Sequence, residues 1–363
     1  MNPRVILVDI VPFQITPEES LARLNELENL VVTYGGFVVV RKLQKRQMPD
    51  YRYYVGKGKV DEIEKEARDL GAEYVIVNNI LKPHQIYNLE SRFEKHGIKI
   101  WDRIDLILKI FEKHAVTREA KLQIELAQLR HFGPRIFKMG VGLNQQTGGG
   151  AITRGKGETN IEIMKRHIAR KENQIKKDLK KIEGNQACQR AKRADDGFKT
   201  VAIVGYTNAG KSALLNALTR KGVKVKDELF ATLDTRLGKL YLPEKGKSVL
   251  LSDTIGFIRD LPPSLIHAFH STLAETIHAD LIVMVIDMND MEMEWKIKTV
   301  HQVLGELGCG GKKILYVFNK IDLPCPMPKE DLAEFYKAYS PTFVSAEQKT
   351  NLEELKNKIA RCV

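Results

Sequence analysis

The sequence has little that would bind a structural metal or cross a membrane. Its four cysteines, Cys188, Cys309, Cys325 and Cys362, form no C-x-x-C pair and join no histidine cluster. Neither structural zinc nor a disulfide framework is expected, and the thiols read as reduced. No run of 18 or more apolar residues occurs, which excludes a transmembrane helix. The opening MNPRVILVDIVPF interrupts its short apolar stretch with Asp9 and lacks a signal-peptide layout, so it reads as a first β-strand of a cytoplasmic protein. There is no internal repeat and no low-complexity tract. What the chain has in excess is positive charge: 58 Lys and Arg against 46 Asp and Glu, a net +12. That balance favours a polyanionic partner over an acidic protein partner.

The 363 residues are enough for two or three domains, and three blocks are visible. Residues 1–112 alternate β-branched runs with amphipathic stretches. VILVDI (5–10), GFVVV (36–40), YVIVNN (74–79) and IKIWD (98–102) read as strands. Helices are expected over 20–32 and from Pro83 to about His96, and GKGKVDEIEKEA (56–67) reads as a Gly-rich helix start. The alternation predicts a small N-terminal α/β unit with parallel strands. Residues 113–195 predict a long helical hairpin. TREAKLQIELAQLRHF (117–132) sets Leu122, Leu126 and Leu129 on one face, and Ile161, Ile168, Ile175 and Ile182 recur every seven residues. The Gly-rich stretch between them, 133–157, reads as a long loop. After an Asp195-Asp196-Gly197 linker, residues 196–363 return to α/β alternation.

The third block carries the chemistry. KTVAIVGYTNAGKSALLNAL (199–218) places G-x-x-x-x-G-K-S between an apolar strand and a helical pattern. This is the context a phosphate-binding loop requires. Gly205 and Gly210 allow the backbone of Tyr206, Thr207, Asn208 and Ala209 to turn its N–H groups toward phosphate. Lys211 supplies a charge for the β- and γ-phosphates, Ser212 a hydroxyl for Mg²⁺, and the helix from Ala213 onward its N-terminal dipole. VLLSDTIGF (249–257) ends a buried-type strand in Asp-x-x-Gly. Asp253 would hold Mg²⁺ through water, followed by Thr254 and Ile255, with the Gly256 N–H sensing the γ-phosphate. ILYVFNKID (314–322) ends in Asn-Lys-x-Asp. The Asp322 carboxylate can accept the N1–H and N2–H₂ pair that guanine has and adenine lacks. Asn319 would buttress the loop, Lys320 would pack over the base, and the Ser345-Ala346 turn would reach the base oxygen. In the intervening DELFATLDTR (227–236), Thr232, after Phe230 and Ala231, reads as the switch threonine that meets Mg²⁺ and γ-phosphate, with Thr235 as the alternative. Together these predict a Ras-like P-loop GTPase domain.

Two features qualify that chemistry. Ras-like enzymes often carry a water-orienting Gln directly after Asp-x-x-Gly. Phe257 stands there, so slow hydrolysis is expected from the protein alone. Asn208 is a candidate ligand for a K⁺ ion beside the phosphates, or an ordinary loop residue.

The G-domain motifs, with DTIGFIRDLPP (253–263) and LFATLD (229–234), resemble those of the HflX family of GTPases. So do GKGKVDEI (56–63), NLE (88–90), WDRIDLILKIF (101–111), TREAKLQIELAQL (117–129), PR (134–135) and GGGAITRGKGETNIE (148–162). The resemblance spans nearly the whole chain. It implies a factor that binds the large ribosomal subunit through 23S-type rRNA, hydrolyses GTP to GDP with Mg²⁺ when stimulated by the ribosome, and splits stalled or idle ribosomes; the chain itself is expected to be a monomer. It further implies rRNA contact by the hairpin tip, here Arg135, Lys138, Arg154 and Lys156. The 14 Lys and Arg against 7 Asp and Glu over 151–200 suit such a contact, and equally suit a solvated helix face. The sequence departs from the family's run after Glu162, where Ile163-Met164-Lys165-Arg166 keep only part of the charge, and at Ala213, where a Thr is usual. Little chain follows Ser345-Ala346, so a further C-terminal domain is expected to be reduced or absent. Two other classes fit the motifs alone: an NTP-driven, helicase-like RNA-remodelling factor, and a GTP-regulated protein-binding switch.

Overall fold

The computed structural model describes residues 2–146, 160–219, 230, 236–259, 265, 273–325 and 327–363, and their side chains except at 136–146, 160 and 161. Close packing divides the chain into two units, 1–113 with 122–178, and 114–121 with 179–363.

In the first unit, β1 (Arg4–Val11), β2 (Phe37–Lys45), β3 (Tyr74–Val77) and β4 (Lys99–Asp102) form a four-stranded sheet in the order β2-β1-β3-β4. Every pair is parallel, as the alternation predicts. The crossovers are α1 (Pro17–Tyr34), α2 (Lys57–Asp69) and α3 (Pro83–Phe93), with α4 (Arg103–His114) after β4. Local chemistry sets the helix ends. The Thr16 side chain accepts from Glu19 N–H while the Glu19 carboxylate returns to Thr16 N–H, and Pro17 occupies the first turn. Gly35, at φ 102°, ends α1 in a left-handed turn. Gly56 caps α2, in line with the helix start expected there.

The hairpin differs from expectation at one point. α5 runs over Arg118–Gln146 with Pro134 inside it, so the predicted loop does not begin at 133. An internal proline deletes one backbone hydrogen bond and crowds the preceding turn. Here the helix is held from outside: Ala120, Gln123, Ile124, Leu126 and Ala127 are buried, and the residue after Pro134 is tied down by ion pairs described below. Tertiary anchoring outweighs local propensity. Residues 147–159 lie outside the described residues. α6 runs over Asn160–Asp195, with Ile175 buried and Ile168 and Ile182 half-buried, as the heptad seam predicts. In the first unit α5 and α6 are linked by Lys171 to Glu125 at 2.6 Å and Arg130 to Glu172 at 3.0 Å. In the second, Gln186 donates to Glu119 at 2.5 Å. Within the first unit Arg130 meets Glu172 while Gly133 lies against Ile168, 3.9 Å from a Cβ built on the glycine, so the pairing there is antiparallel.

The second unit holds β5 (Thr200–Gly205), α7 (Lys211–Thr219), β6 (Arg236–Leu242), β7 (Lys247–Asp253), α8 (Ala274–His278), β8 (Leu281–Asp287), α9 (Met293–Glu306), β9 (Ile314–Asn319), α10 (Lys329–Phe335), β10 (Thr342–Phe343) and α11 (Leu352–Cys362). The sheet order is β10-β9-β8-β5-β7-β6, parallel except for the β6 edge. Strand alternation sorts the core onto two faces. Val201 and Ile203 pack with Leu214, Leu215, Leu355 and Ile359 from α7 and α11. Ala202 and Val204 pack with Ile297, Val300 and Leu304 from α9. Each such aliphatic side chain contributes about 1.5–3 kcal/mol on burial. Among the described residues, no helix is long and apolar enough to cross a membrane.

Candidate nucleotide-binding site

The site lies beyond the carboxyl end of β5, where neighbouring connections leave in opposite directions to β7 and β8, a position that leaves a crevice in open α/β sheets. Its loop demands glycine for steric reasons. A Cβ on Gly205 would stand 2.3 Å from the Val285 carbonyl oxygen, and one on Gly210, at φ 90°, would stand 2.2 Å from Asn319 Nδ2. Between them Asn208 sits in the left-handed region at φ 62° and is exposed. Thr207 and Ala209 are buried on either side.

Lys211 opens α7 and is 7% exposed. Its Nζ donates to the Tyr206 carbonyl at 2.7 Å, closing the loop on itself. Burial pushes its ammonium down to about 8, against the pull of the Asp253 carboxylate. Next to it, Ser212 Oγ donates to Asp253 Oδ2 at 2.6 Å. The two side chains expected around Mg²⁺ are therefore adjacent and oxygen-only. Thr254 Oγ1 donates to the Ile203 carbonyl at 3.0 Å, fixing the turn after β7. Ile255 is buried, and Ala213, at the start of α7, packs against the core on that face. Gly256 lies against the loop: a Cβ there would meet Lys211 Nζ and Thr207 Cγ2, each at 2.8 Å. No other residue type allows that approach.

Phe257 is bound to the loop through its backbone. Its N–H donates to the Gly205 carbonyl at 3.1 Å and its carbonyl accepts from Thr207 N–H at 2.8 Å. Its ring is 1% exposed and belongs to the core with Tyr206 and Met284. The position after Asp-x-x-Gly thus faces the protein interior.

At the base end, Asn319 is the buttress the motif implies. Its Nδ2 donates to the Ala209 carbonyl and its Oδ1 accepts from Ala346 N–H, both at 3.0 Å. It thereby joins three loops, one of them the Ser345-Ala346 turn. Ser345 is buried, and its Oγ accepts from Gln348 N–H at 2.9 Å, shaping the turn. Lys320 takes φ 68° and places Nζ 2.7 Å from Asp287 Oδ2. Asn289 Nδ2 donates to the Lys320 carbonyl at 2.9 Å. Asp287 and Asn289 hold the base-reading loop, and sequence reasoning missed them: the only signal was an apolar strand ending in Asp, as β7 does. Asp322 Oδ1 is buried from solvent and, among the described residues, has no hydrogen-bond partner. An orphaned carboxylate oxygen is costly, and the guanine N1–H and N2–H₂ pair supplies the donors it lacks. Phe230 is buried at φ 57°; Ala231, Thr232 and Thr235 lie outside the described residues.

The predicted rRNA-contact residues fare differently. Arg135 is on α5 and not in a loop, and it is 9% exposed. Its guanidinium spans Asp105, at 2.8 Å to both oxygens, and Asp102 Oδ2 at 2.6 Å. That arginine is spent on an internal ion cluster, so the expected RNA contact is corrected. His131 Nε2 lies 3.2 Å from Asp102, 3.0 Å from Asp105 and in contact with Arg135. Asp102, Asp105 and His131 offer three ligand atoms within 4.8 Å of one another, yet Arg135 already takes both carboxylates and stands where a metal cation would. Lys138 lies on α5, and nothing is described of its side chain. Arg154 and Lys156 lie outside the described residues.

Three family models match in succession: "GTP-binding GTPase N-terminal" over 21–112, "GTP-binding GTPase Middle Region" over 114–193, and "50S ribosome-binding GTPase" over 200–320. Among curated proteins, a GTPase HflX of Caldanaerobacter subterraneus subsp. tengcongensis is 44% identical, over 99% of this chain and 80% of its own. The GTPase HflX of Escherichia coli K12 is 39% identical over 86% and 72%. Among solved structures, a complex of SsGBP with GDP aligns at TM-score 0.55 and 27% identity, over 99% of this chain and 98% of that one. A GTP-binding protein of Sulfolobus solfataricus with GDP aligns at 0.50 and 29%, over 100% and 98%.

Proposed function

The chain belongs to the HflX family of GTPases, and from that premise we propose that it is a ribosome-associated factor that binds the large subunit and separates stalled or idle ribosomes. The observation that carries the reading is the burial of Phe257 in the core beside the described phosphate-loop, Asp-x-x-Gly and base-reading segments. Lys211 and the loop amides bind the phosphates, and Asp322 selects guanine. Ser212 and Asp253, already adjacent, would hold Mg²⁺, with Thr232 as a further ligand; oxygen donors suit that hard cation. The ion would supply positive charge beside the β- and γ-phosphate oxygens. Nothing at position 257 can orient water, so hydrolysis is slow until a partner completes the site. A ribosomal partner agrees with the net +12 charge and with what the matched family is described as binding. Lys138, Arg154 and Lys156 remain candidates for rRNA contact, Arg135 does not. Exposed Asn208 is a candidate K⁺ ligand, and faster hydrolysis in KCl than in NaCl would support that role.

The test is GTP hydrolysis with and without purified large subunits. Stimulation of about tenfold or more is expected, abolished in Lys211→Ala. Asp322→Asn should shift preference from guanine to xanthine nucleotides, because the amide donates where the carboxylate accepted. Equal competition of ATP and GTP for the site, or no co-sedimentation with large subunits in any nucleotide state, would overturn the reading.

A further inference from the structure

A cavity of about 390 Å³ opens within the second unit, between the end of α6 and the helix α8. Arg190 and Arg193 come from α6, Glu275 and His278 from α8, with Phe198 and Asp280 completing the wall. Small-molecule sites begin at about 300 Å³, so the space is of ligand size. Ala191, between the two arginines, is exposed and leaves the floor open.

The charges in this wall are unequally satisfied. Asp280 accepts from Lys199 Nζ and from Thr200 N–H, both at 2.8 Å. Glu275 accepts from Arg193 Nη2 at 2.8 Å. Arg190 has only Glu275, 4.0 Å from its Nη1, and among the described residues it makes no hydrogen bond. Its side chain is nonetheless only 15% exposed. A guanidinium carries five N–H donors in a planar fork. With none of these donors in a hydrogen bond, and with the neighbouring Arg193 Nη1 buried and unpartnered among the described residues, the pair suits an anionic oxygen, which such a fork binds in bidentate fashion.

We propose that this cavity is a second anion site, separate from the nucleotide site, taking a small molecule that bears a phosphate or carboxylate group. Arg190 holds the anion, Arg193 supports it while remaining paired with Glu275, and Ala191 leaves room for the body of the ligand.

The experiment uses the full chain saturated with Mg²⁺ and GDP, so that the phosphate loop is filled. Inorganic phosphate, pyrophosphate and citrate are each titrated in by calorimetry at fixed ionic strength. At least one should bind saturably with Kd of about 1 mM or tighter, a level one well-placed ionic group can reach; which one separates phosphate from carboxylate. Arg190→Gln should weaken that binding about tenfold or more. Ala191→Leu, which fills the cavity without removing charge, should do the same. Arg170→Gln, an exposed arginine on the same helix, should bind as the natural protein does. Helix content by circular dichroism and GDP affinity should match in all of them. Absence of saturable binding by all three probes, or unchanged binding in both Arg190→Gln and Ala191→Leu, overturns the site.

Discussion

Lys211 shows how one residue turns geometry into a pH dependence. Its ammonium is buried and titrates at about 8. Phosphate oxygens bound against it favour the charged form, so the value in the complex lies higher. Linkage then makes nucleotide affinity level below pH 8 and weaker as pH rises beyond it. A fluorescence titration of GDP from pH 7 to 9.5 should show a loss of about tenfold or more; a flat profile would mean that Lys211 is not the phosphate's main cation. Phe257 allows a sharper test. On sequence grounds Phe257→Gln looks like restoration of a catalytic glutamine. The ring is in the core, so the new amide would be buried there. Hydrolysis should not rise, and stability should fall by about 3 kcal/mol or more, read from denaturant unfolding. A faster variant of unchanged stability would show that the side chain at 257 reaches the phosphates.

At the scale of elements, the segment from α3 to α5 is organised by one buried cluster. Asp102 and Asp105 exchange backbone and side-chain hydrogen bonds at the start of α4, and Arg135 and His131 of α5 neutralise them. The segments WDRIDLILKIF and PR thus meet at one ion cluster. Arg135→Ala would leave two carboxylates buried without their cation, at a cost of about 3–5 kcal/mol. Burial disfavours charged His131, but its hydrogen bonds to Asp102 and Asp105 hold its pKa above the usual value. Burial also pushes Glu90 up to about 7, with Arg135 acting the other way and Asp105 and Glu94 adding to the rise. Both groups have raised folded-state values. The stability they contribute is complete at pH below their unfolded values and is lost as pH rises through the folded ones. The unfolding midpoint of the first unit should therefore fall as pH rises from about 4.5 through about 7, with the His131 part lost only above pH 6.5, and His131→Gln should remove that later part. The cluster also marks the limit of what the residues disclosed. Strands, crossovers and the nucleotide motifs follow from short-range patterns, and Asn319 does what its motif implies because motif and loop are local to each other. Whether Arg135 faces water depends on Asp102 and Asp105, far away in sequence. Local cues, Gly133 and Pro134, pointed to a loop and to solvent. Asp287 and Asn289 escaped notice for the same reason: their partner, Lys320, is set by the pairing of β8 with β9.

For the whole molecule, the controlling quantity is how its charge is distributed. The net +12 is not needed by the nucleotide site, whose own cation is Lys211. Over 151–200 basic residues outnumber acidic ones two to one, and α6 carries most of that stretch on an exposed surface. If this surface meets rRNA, each phosphate neutralised releases a condensed counterion, and affinity falls as a power of salt concentration. Guanine-nucleotide binding within the second unit has no such term. Co-sedimentation with large subunits should therefore weaken by about tenfold or more between 50 and 200 mM monovalent salt, with K⁺ held constant and NaCl varied, while GDP affinity changes little. Lys176→Gln with Lys177→Gln and Lys180→Gln should lower the slope of log affinity against log salt without altering hydrolysis by the free protein. Subunit binding that ignores salt would place the contact on apolar surface instead, and would remove the role assigned to the basic helix.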